Sequence, residues 1–173
     1  MDDAAGMGGT ATVESGALVS GAIELGVGGE LATVEGIQTG SVRVHTGLFK
    51  NLWVGMASVE VGLGYAHVSD LDQFDVESAF TWGMRWGNTG SHPFVSIGGG
   101  WRHQEIGSFG QSRYPVGLGV GVRSLLGPLA GFRVEYRFRR ILNDPVADFS
   151  EHRFTIGLSV FLRNSPKTKS GAK

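Results

Sequence analysis

The chain has 173 residues, with 15 Lys or Arg against 16 Asp or Glu, so its formal charge at neutral pH is −1 with histidine neutral. That length fits one domain, and the near balance of charge offers no basic surface to a nucleic acid. Cysteine is absent, which excludes a disulfide framework and a thiol nucleophile, and no apolar run approaches the length of a membrane-spanning helix.

A two-residue alternation runs through most of the chain and predicts eight strands. The first covers 18–30, where Ile23, Leu25 and Val27 alternate with Glu24, Gly26 and Gly28. The second covers 40–49, with Val42, Val44, Thr46 and Leu48 set against Arg43, His45 and Gly47. In the third, 54–68, Val59, Val61, Leu63 and Tyr65 oppose Glu60, Gly62 and Gly64. In the fourth, 75–86, Val76, Phe80, Trp82, Met84 and Trp86 oppose Glu77, Thr81, Gly83 and Arg85. The fifth, 93–104, sets Val95, Ile97 and Trp101 against Ser96, Gly98, Gly100 and Arg102. The sixth, 114–124, sets Val116, Leu118, Val120 and Val122 against Gly117, Gly119, Gly121 and Arg123. The seventh, 131–140, alternates Phe132, Val134, Tyr136 and Phe138 with Arg133, Glu135, Arg137 and Arg139. The eighth, 152–162, places Phe154, Ile156, Leu158, Val160 and Leu162 on one face and Arg153, Thr155, Gly157, Ser159 and Phe161 on the other.

In nearly every strand the large apolar residues take one parity and the charged or small residues take the other. A small soluble barrel fills its interior with aliphatic side chains, whereas a barrel in lipid turns them outward and carries polar groups inside. The pattern therefore predicts an all-β, eight-stranded, antiparallel up-and-down transmembrane barrel over 18–163, apolar outside and polar or charged inside. Residues 1–17 are expected as a flexible N-terminal segment and 164–173 as a flexible basic tail carrying Lys167, Lys169 and Lys173. The 29 glycines suit a tightly curved wall whose inward side chains must often be small.

The connections are expected to alternate in length. Those at 31–39, 69–74, 105–113 and 141–150 are read as longer, and those at 50–53, 87–92 and 125–130 as shorter. Long loops at one end and short turns at the other are characteristic of outer-membrane barrels, and an even strand count then puts both termini in the periplasm. Aromatic residues fall near the strand ends, with Trp86 and Phe132 toward the short turns and Tyr65, Trp101, Phe138 and Phe154 toward the loops, as two interfacial girdles require. The start MDDAAGMGG has neither a basic n-region nor an apolar h-region, so Met1 is expected to begin a mature sequence from which a signal has been removed.

With FRVEYRFRR at 132–140, a polar connection and EHRFTIGLSVFL at 151–162, the pattern resembles the small bacterial outer-membrane barrels of the OmpA, OmpX and opacity-protein type. The likeness is one of architecture and covers 18–162. It implies a monomer in the cell outer membrane whose partners are outer-membrane lipid, lipopolysaccharide and the insertion machinery, with no cofactor. The tail NSPKTKSGAK departs from that pattern, because such chains usually finish on the last strand.

The candidate site is the set of inward charges: Glu24, Arg43, Glu60, Glu77, Arg85, Arg102, Arg123, Arg133, Glu135, Arg137, Arg139 and Arg153. Eight strands enclose only enough room for side chains, and buried charges persist when paired, so a Glu–Arg network filling the barrel is expected. The alternative is a narrow anion path opened by the glycines of strands five and six. A lipid A deacylase barrel is a second alternative, since that family resembles this architecture with His, one residue, Ser and Asn closing the penultimate strand and a Glu opening the last. Asn143 and Glu151 match, but Arg140 and Leu142 occupy the His and Ser positions, so no catalysis is expected by that route. His67 and Ser69, with Glu77 beyond them, form a weaker Ser–His candidate. His45, His67, His92, His103 and His152 have no metal-ligand spacing, and Asp70, Asp72 and Asp75 read as a solvated acidic turn rather than a calcium loop. A soluble lipocalin-like barrel is the rival fold.

Overall fold

A computed structural model describes residues 18, 20–84, 90–127, 129–142 and 149–162. It contains eight strands: β1 (Ile23–Val34), β2 (Ile37–Asn51), β3 (Met56–Val68), β4 (Leu71–Gly83), β5 (Ser91–Ile106), β6 (Phe109–Leu125), β7 (Ala130–Leu142) and β8 (Ser150–Leu162). Each pairs antiparallel with its neighbours in sequence, and β1 pairs with β8 to close the barrel. Closure leaves no sheet edge, which is what a wall in lipid demands, because an unpaired backbone group has no water to bond there.

The register is staggered. Passing from Glu24 through partners Gly47, Glu60, Ala79, Gly98, Gly117, Arg139 and Glu151 leads back to β1 at Val34, ten residues beyond the start. Such a stagger tilts the strands by about 35–45° to the barrel axis. Residues far apart in sequence are thereby brought to one depth of the interior.

Burial alternates along every strand as the parity predicts. Outward side chains such as Val59, Leu118 and Leu158 are 60–62% exposed, whereas Arg123, Arg139 and Arg153 are 1% exposed. Among the described residues no helix is long and apolar enough to cross a membrane. Arg85 and Trp86 lie outside the described residues, as do 1–17 and 163–173.

The connections differ from expectation. The predicted loops at 31–39, 69–74 and 105–113 are mostly strand, and the turns are only the pairs Glu35–Gly36, Ser69–Asp70 and Gly107–Ser108. Glu35 and Gly36 both have positive φ (48° and 86°), the geometry of a type I′ hairpin, and Ser69 and Gly107 also have positive φ (54° and 60°). At the other end the connections span 52–55, 84–90 and 126–129, so the expected length asymmetry is reversed for these six. Past the apolar belt the strands carry polar residues such as Thr39, Gln73, Gln104 and Ser112, which pair in the ladder without leaving an apolar period to read. The end bearing the three tight turns is called the hairpin end, and the other the terminal end.

Candidate functional site: the charged interior

Among the described residues the interior buries seven arginines (Arg43, Arg102, Arg123, Arg133, Arg137, Arg139, Arg153) and seven carboxylates (Glu24, Glu30, Glu60, Asp75, Glu77, Glu135, Glu151). Their formal charges cancel. Tilted strands carry the charged positions to successive depths, and the ion pairs connect most of the wall.

Toward the terminal end, Glu60 of β3 is the hub. It accepts from Arg123 Nη2 and Arg133 Nη1, both at 2.7 Å, and from Ser58 Oγ at 2.9 Å. Arg133 also donates to Glu135 at 2.8 Å, and Glu135 accepts from Arg137 Nε and Ser96 Oγ at the same distance. Glu24 accepts from Ser159 at 2.6 Å, with Arg123 Nε 3.1 Å and His45 Nε2 3.4 Å away. The ring of Phe94 has the guanidinium of Arg123 over it at 4.8 Å and that of Arg133 at 4.7 Å, while Arg123 also lies over Phe49. Stacking on aromatic rings suits Arg in a low-dielectric space better than it would suit Lys.

Toward the hairpin end, Arg153 of β8 donates to Glu30 at 2.8 Å, to Glu151 at 3.0 Å and to Asp75 at 3.1 Å. Arg102 donates to Glu151 at 2.6 Å and Asp75 at 2.7 Å. Glu77 joins the two halves by accepting from Arg43 at 2.7 Å and from Arg137, which also holds Glu135. Arg139 lies 3.4 Å from Glu151 and 3.7 Å from Glu77. Charge-assisted pairs of this kind supply the hydrogen bonds that buried charges need.

Every sequence-assigned lumen charge that is described points inward; Arg85 is not among the described residues. Three buried acids were absent from the candidate set: Glu30, Asp75 and Glu151. Asp75 corrects the reading of an acidic turn, because it is 1% exposed and bonded to Arg102 and Arg153. Only Asp70 lies in the turn, and Asp72 is a β4 residue on the outer surface bonded to Tyr65 and His67. The inward parity of β4, set by Glu77 and Thr81, already includes position 75 and was the available signal.

The glycines of β5 and β6 make room for neighbours. A Cβ on Gly117 would lie 2.7 Å from Arg139 Cγ, one on Gly119 2.6 Å from Arg137 Cγ, and one on Gly121 2.5 Å from the Phe94 ring. At the terminal end, Leu18, Ala22, Phe49 and Phe161 form a small apolar cluster with Met56 and Leu125 against it.

The Ser–His candidate is not assembled as a triad. His67 is exposed and bonds Asp72 at 2.8 Å, while Glu77 is in the interior. Of the deacylase positions, Asn143 lies outside the described residues, Arg140 and Leu142 are exposed, and Glu151 is held by Arg102, Arg139 and Arg153. No group of three or more His, Asp or Glu capable of holding a metal occurs among the described residues.

No protein-family model matches the chain, and no curated protein matches it. Solved structures do. Neisserial surface protein A, NspA, superposes with a TM-score of 0.61 at 13% identity, covering 80% of this chain and 95% of that one. The N-terminal β-barrel domain of Pseudomonas aeruginosa OprF gives 0.62 at 13% identity, covering 84% of this chain and all (100%) of that one. The outer membrane enzyme PagL gives 0.52 at 13% identity, covering 80% and 98%.

Proposed function

The chain has the closed eight-stranded fold of small outer-membrane barrels, and from it we propose a non-enzymatic, monomeric integral protein of the bacterial outer membrane with a structural or surface-interaction role. The carrying observation is the inside-out wall, with paired charges within and a belt of Val, Ile, Leu and aromatic side chains outside. In water that belt would be a continuous apolar patch well beyond the few hundred Å² that soluble monomers expose. A lipocalin-like barrel would have the opposite distribution. On this reading the wall contacts outer-membrane lipid including lipopolysaccharide, and the insertion machinery delivers the chain.

The lumen is read as closed. Seven arginines meet seven carboxylates across a space that eight strands barely leave open, and the apolar cluster of Phe49 and Phe161 stands at the terminal end. Of the inward glycines that favoured an anion path, those of β6 are taken up by Arg137, Arg139 and Phe94, and a Cβ on Gly98 or Gly100 of β5 would meet the neighbouring β4 backbone. A deacylase-like activity is left out of this reading because Glu151 is engaged by arginines and Leu142 stands where the deacylase pattern has Ser.

Two measurements test the reading. Unboiled and boiled samples should migrate differently on mild SDS gels, and the folded protein should require detergent or lipid; a monodisperse protein in plain buffer overturns the membrane assignment. In planar bilayers, single-channel steps should be absent. Steady steps that change when Arg123 or Arg137 is replaced would establish the channel instead.

A further inference from the structure

The outer wall carries grooves, and two of them have a cation at the rim: Lys50 beside Leu48, Val59 and Phe80 near the terminal end, and Arg140 on β7. Of the two, the Arg140 groove alone also lacks an outward side chain at a glycine within an apolar row. β5 places Gly99 outward between Ile97 and Trp101, so its apolar row is interrupted by a missing side chain. Across the ladder Gly99 pairs with Val116 and Val116 with Arg140, while Ile97 pairs with Leu118 and Leu118 with Phe138. These two parallel rows on β5, β6 and β7 enclose a groove of about 530 Å³. Among its lining residues only Arg140 is charged. A groove of about 460 Å³ on β1, β7 and β8, walled by Leu25, Val27, Leu158 and Val160, has no charged lining residue.

Depth gives the cation its meaning. Arg140 is two residues beyond Phe138 toward the hairpin end and one row short of Tyr114, so it stands among the outward aromatics Trp101, Tyr114 and Phe138. Aromatic girdles mark the boundary between hydrocarbon and headgroups, so the guanidinium stands where lipid phosphates lie.

We propose that this groove binds one anionic lipid, an acyl chain lying along Gly99, Leu118 and Phe138 and the lipid phosphate held by Arg140. The proposal rests on the membrane reading above. A chain over Gly99 contacts backbone that any larger residue would cover, gaining close-packed dispersion contacts that an ordinary annular lipid lacks. Arg presents five donors in a planar fork, so Arg140 can grip a phosphate while keeping contacts within the protein. Its net charge favours a lipid that is anionic overall above a zwitterionic one with the same chains.

Trp101 beside the groove supplies a local reporter. A variant retaining it as the sole tryptophan (Trp53, Trp82 and Trp86→Phe) would be refolded into phosphatidylcholine vesicles containing a minor fraction of brominated phosphatidylglycerol or brominated phosphatidylcholine. Both lipids carry the phosphate, so the comparison reads the cationic choline that only phosphatidylcholine brings near Arg140, and one such charge at the interface corresponds to a relative binding constant of up to about tenfold in favour of phosphatidylglycerol. Arg140→Gln should bring the two lipids to parity, and Arg140→Lys should retain a preference. Equal quenching by both lipids, or a preference that survives Arg140→Gln, overturns the proposal. If the triple replacement does not fold, counting lipids retained by the unreplaced barrel and by Arg140→Gln in native mass spectrometry makes the same comparison. The heat-dependent gel shift separates the two failures: without it in the unmodified protein the membrane reading falls and the proposal with it, whereas a normal shift with no lipid preference defeats the proposal alone.

Discussion

Replacing Glu135 by Leu isolates the interior network at one well-connected point. Its carboxylate accepts from Arg133, Arg137 and Ser96, each at 2.8 Å, and only 4% of the residue is exposed. Two guanidinium charges at a separation of roughly 4 Å, in an effective dielectric of about 20, each contribute on the order of 4 kcal/mol of attraction. Removing a buried carboxylate returns several kcal/mol of desolvation, and Arg133 and Arg137 keep Glu60 and Glu77 as partners. The balance is a loss of roughly 3–5 kcal/mol, the range for a buried charge pair broken on one side. Urea titration of the barrel in lipid vesicles, followed by tryptophan fluorescence, would measure it, with Glu135→Gln falling between wild type and Leu. On a solvated outer surface the same substitution would change stability by no more than about 0.5 kcal/mol. A result that small would refute the inward charge network on β7.

Val134, outward between Val122 and Ile156, gives the converse test: Val134→Arg should cost roughly 2–4 kcal/mol near the bilayer midplane in the same titration, and a neutral result would remove that wall from lipid. Gly28→Val should prevent the β1–β8 seam from closing, because a Cβ there would lie 2.6 Å from the Ile156 carbonyl oxygen and 2.9 Å from Gly157 Cα. Its readout is loss of the heat-dependent gel shift, and a wild-type shift would contradict the seam register. Phe161 is fully buried with its ring centroid 6.2 Å from that of Phe49, so Phe161→Ala should destabilise the barrel by about 3–5 kcal/mol; a change near zero would mean that the terminal-end cluster is not packed.

By itself the sequence determined the wall. Because successive side chains of a strand point to opposite faces, placing Val134 outward also placed Glu135 inward, and the same parity assigned Glu24, Arg43, Glu60, Arg102, Arg123 and Arg153 correctly. That local rule needs no knowledge of which strands are neighbours. Strand ends were less legible: Gln73, Gln104 and Ser112 carry no apolar period beyond the belt, so ladder residues looked like loop and Asp75 looked solvated.

Pairing was decided only by the tertiary structure. Arg153 reaches Glu30 across 123 residues and Asp75 across 78, because the ten-residue stagger and the closure of β8 on β1 bring those positions to one depth. Glu151, at the head of the last strand, matched a deacylase position in sequence, yet its surroundings are Arg102, Arg139 and Arg153. The groove at Arg140 likewise exists because the register sets Gly99, Val116 and Arg140 in one cross-strand row. Parity is a property of the chain, whereas shear is a property of the closed sheet, and the partners inside a barrel follow from shear.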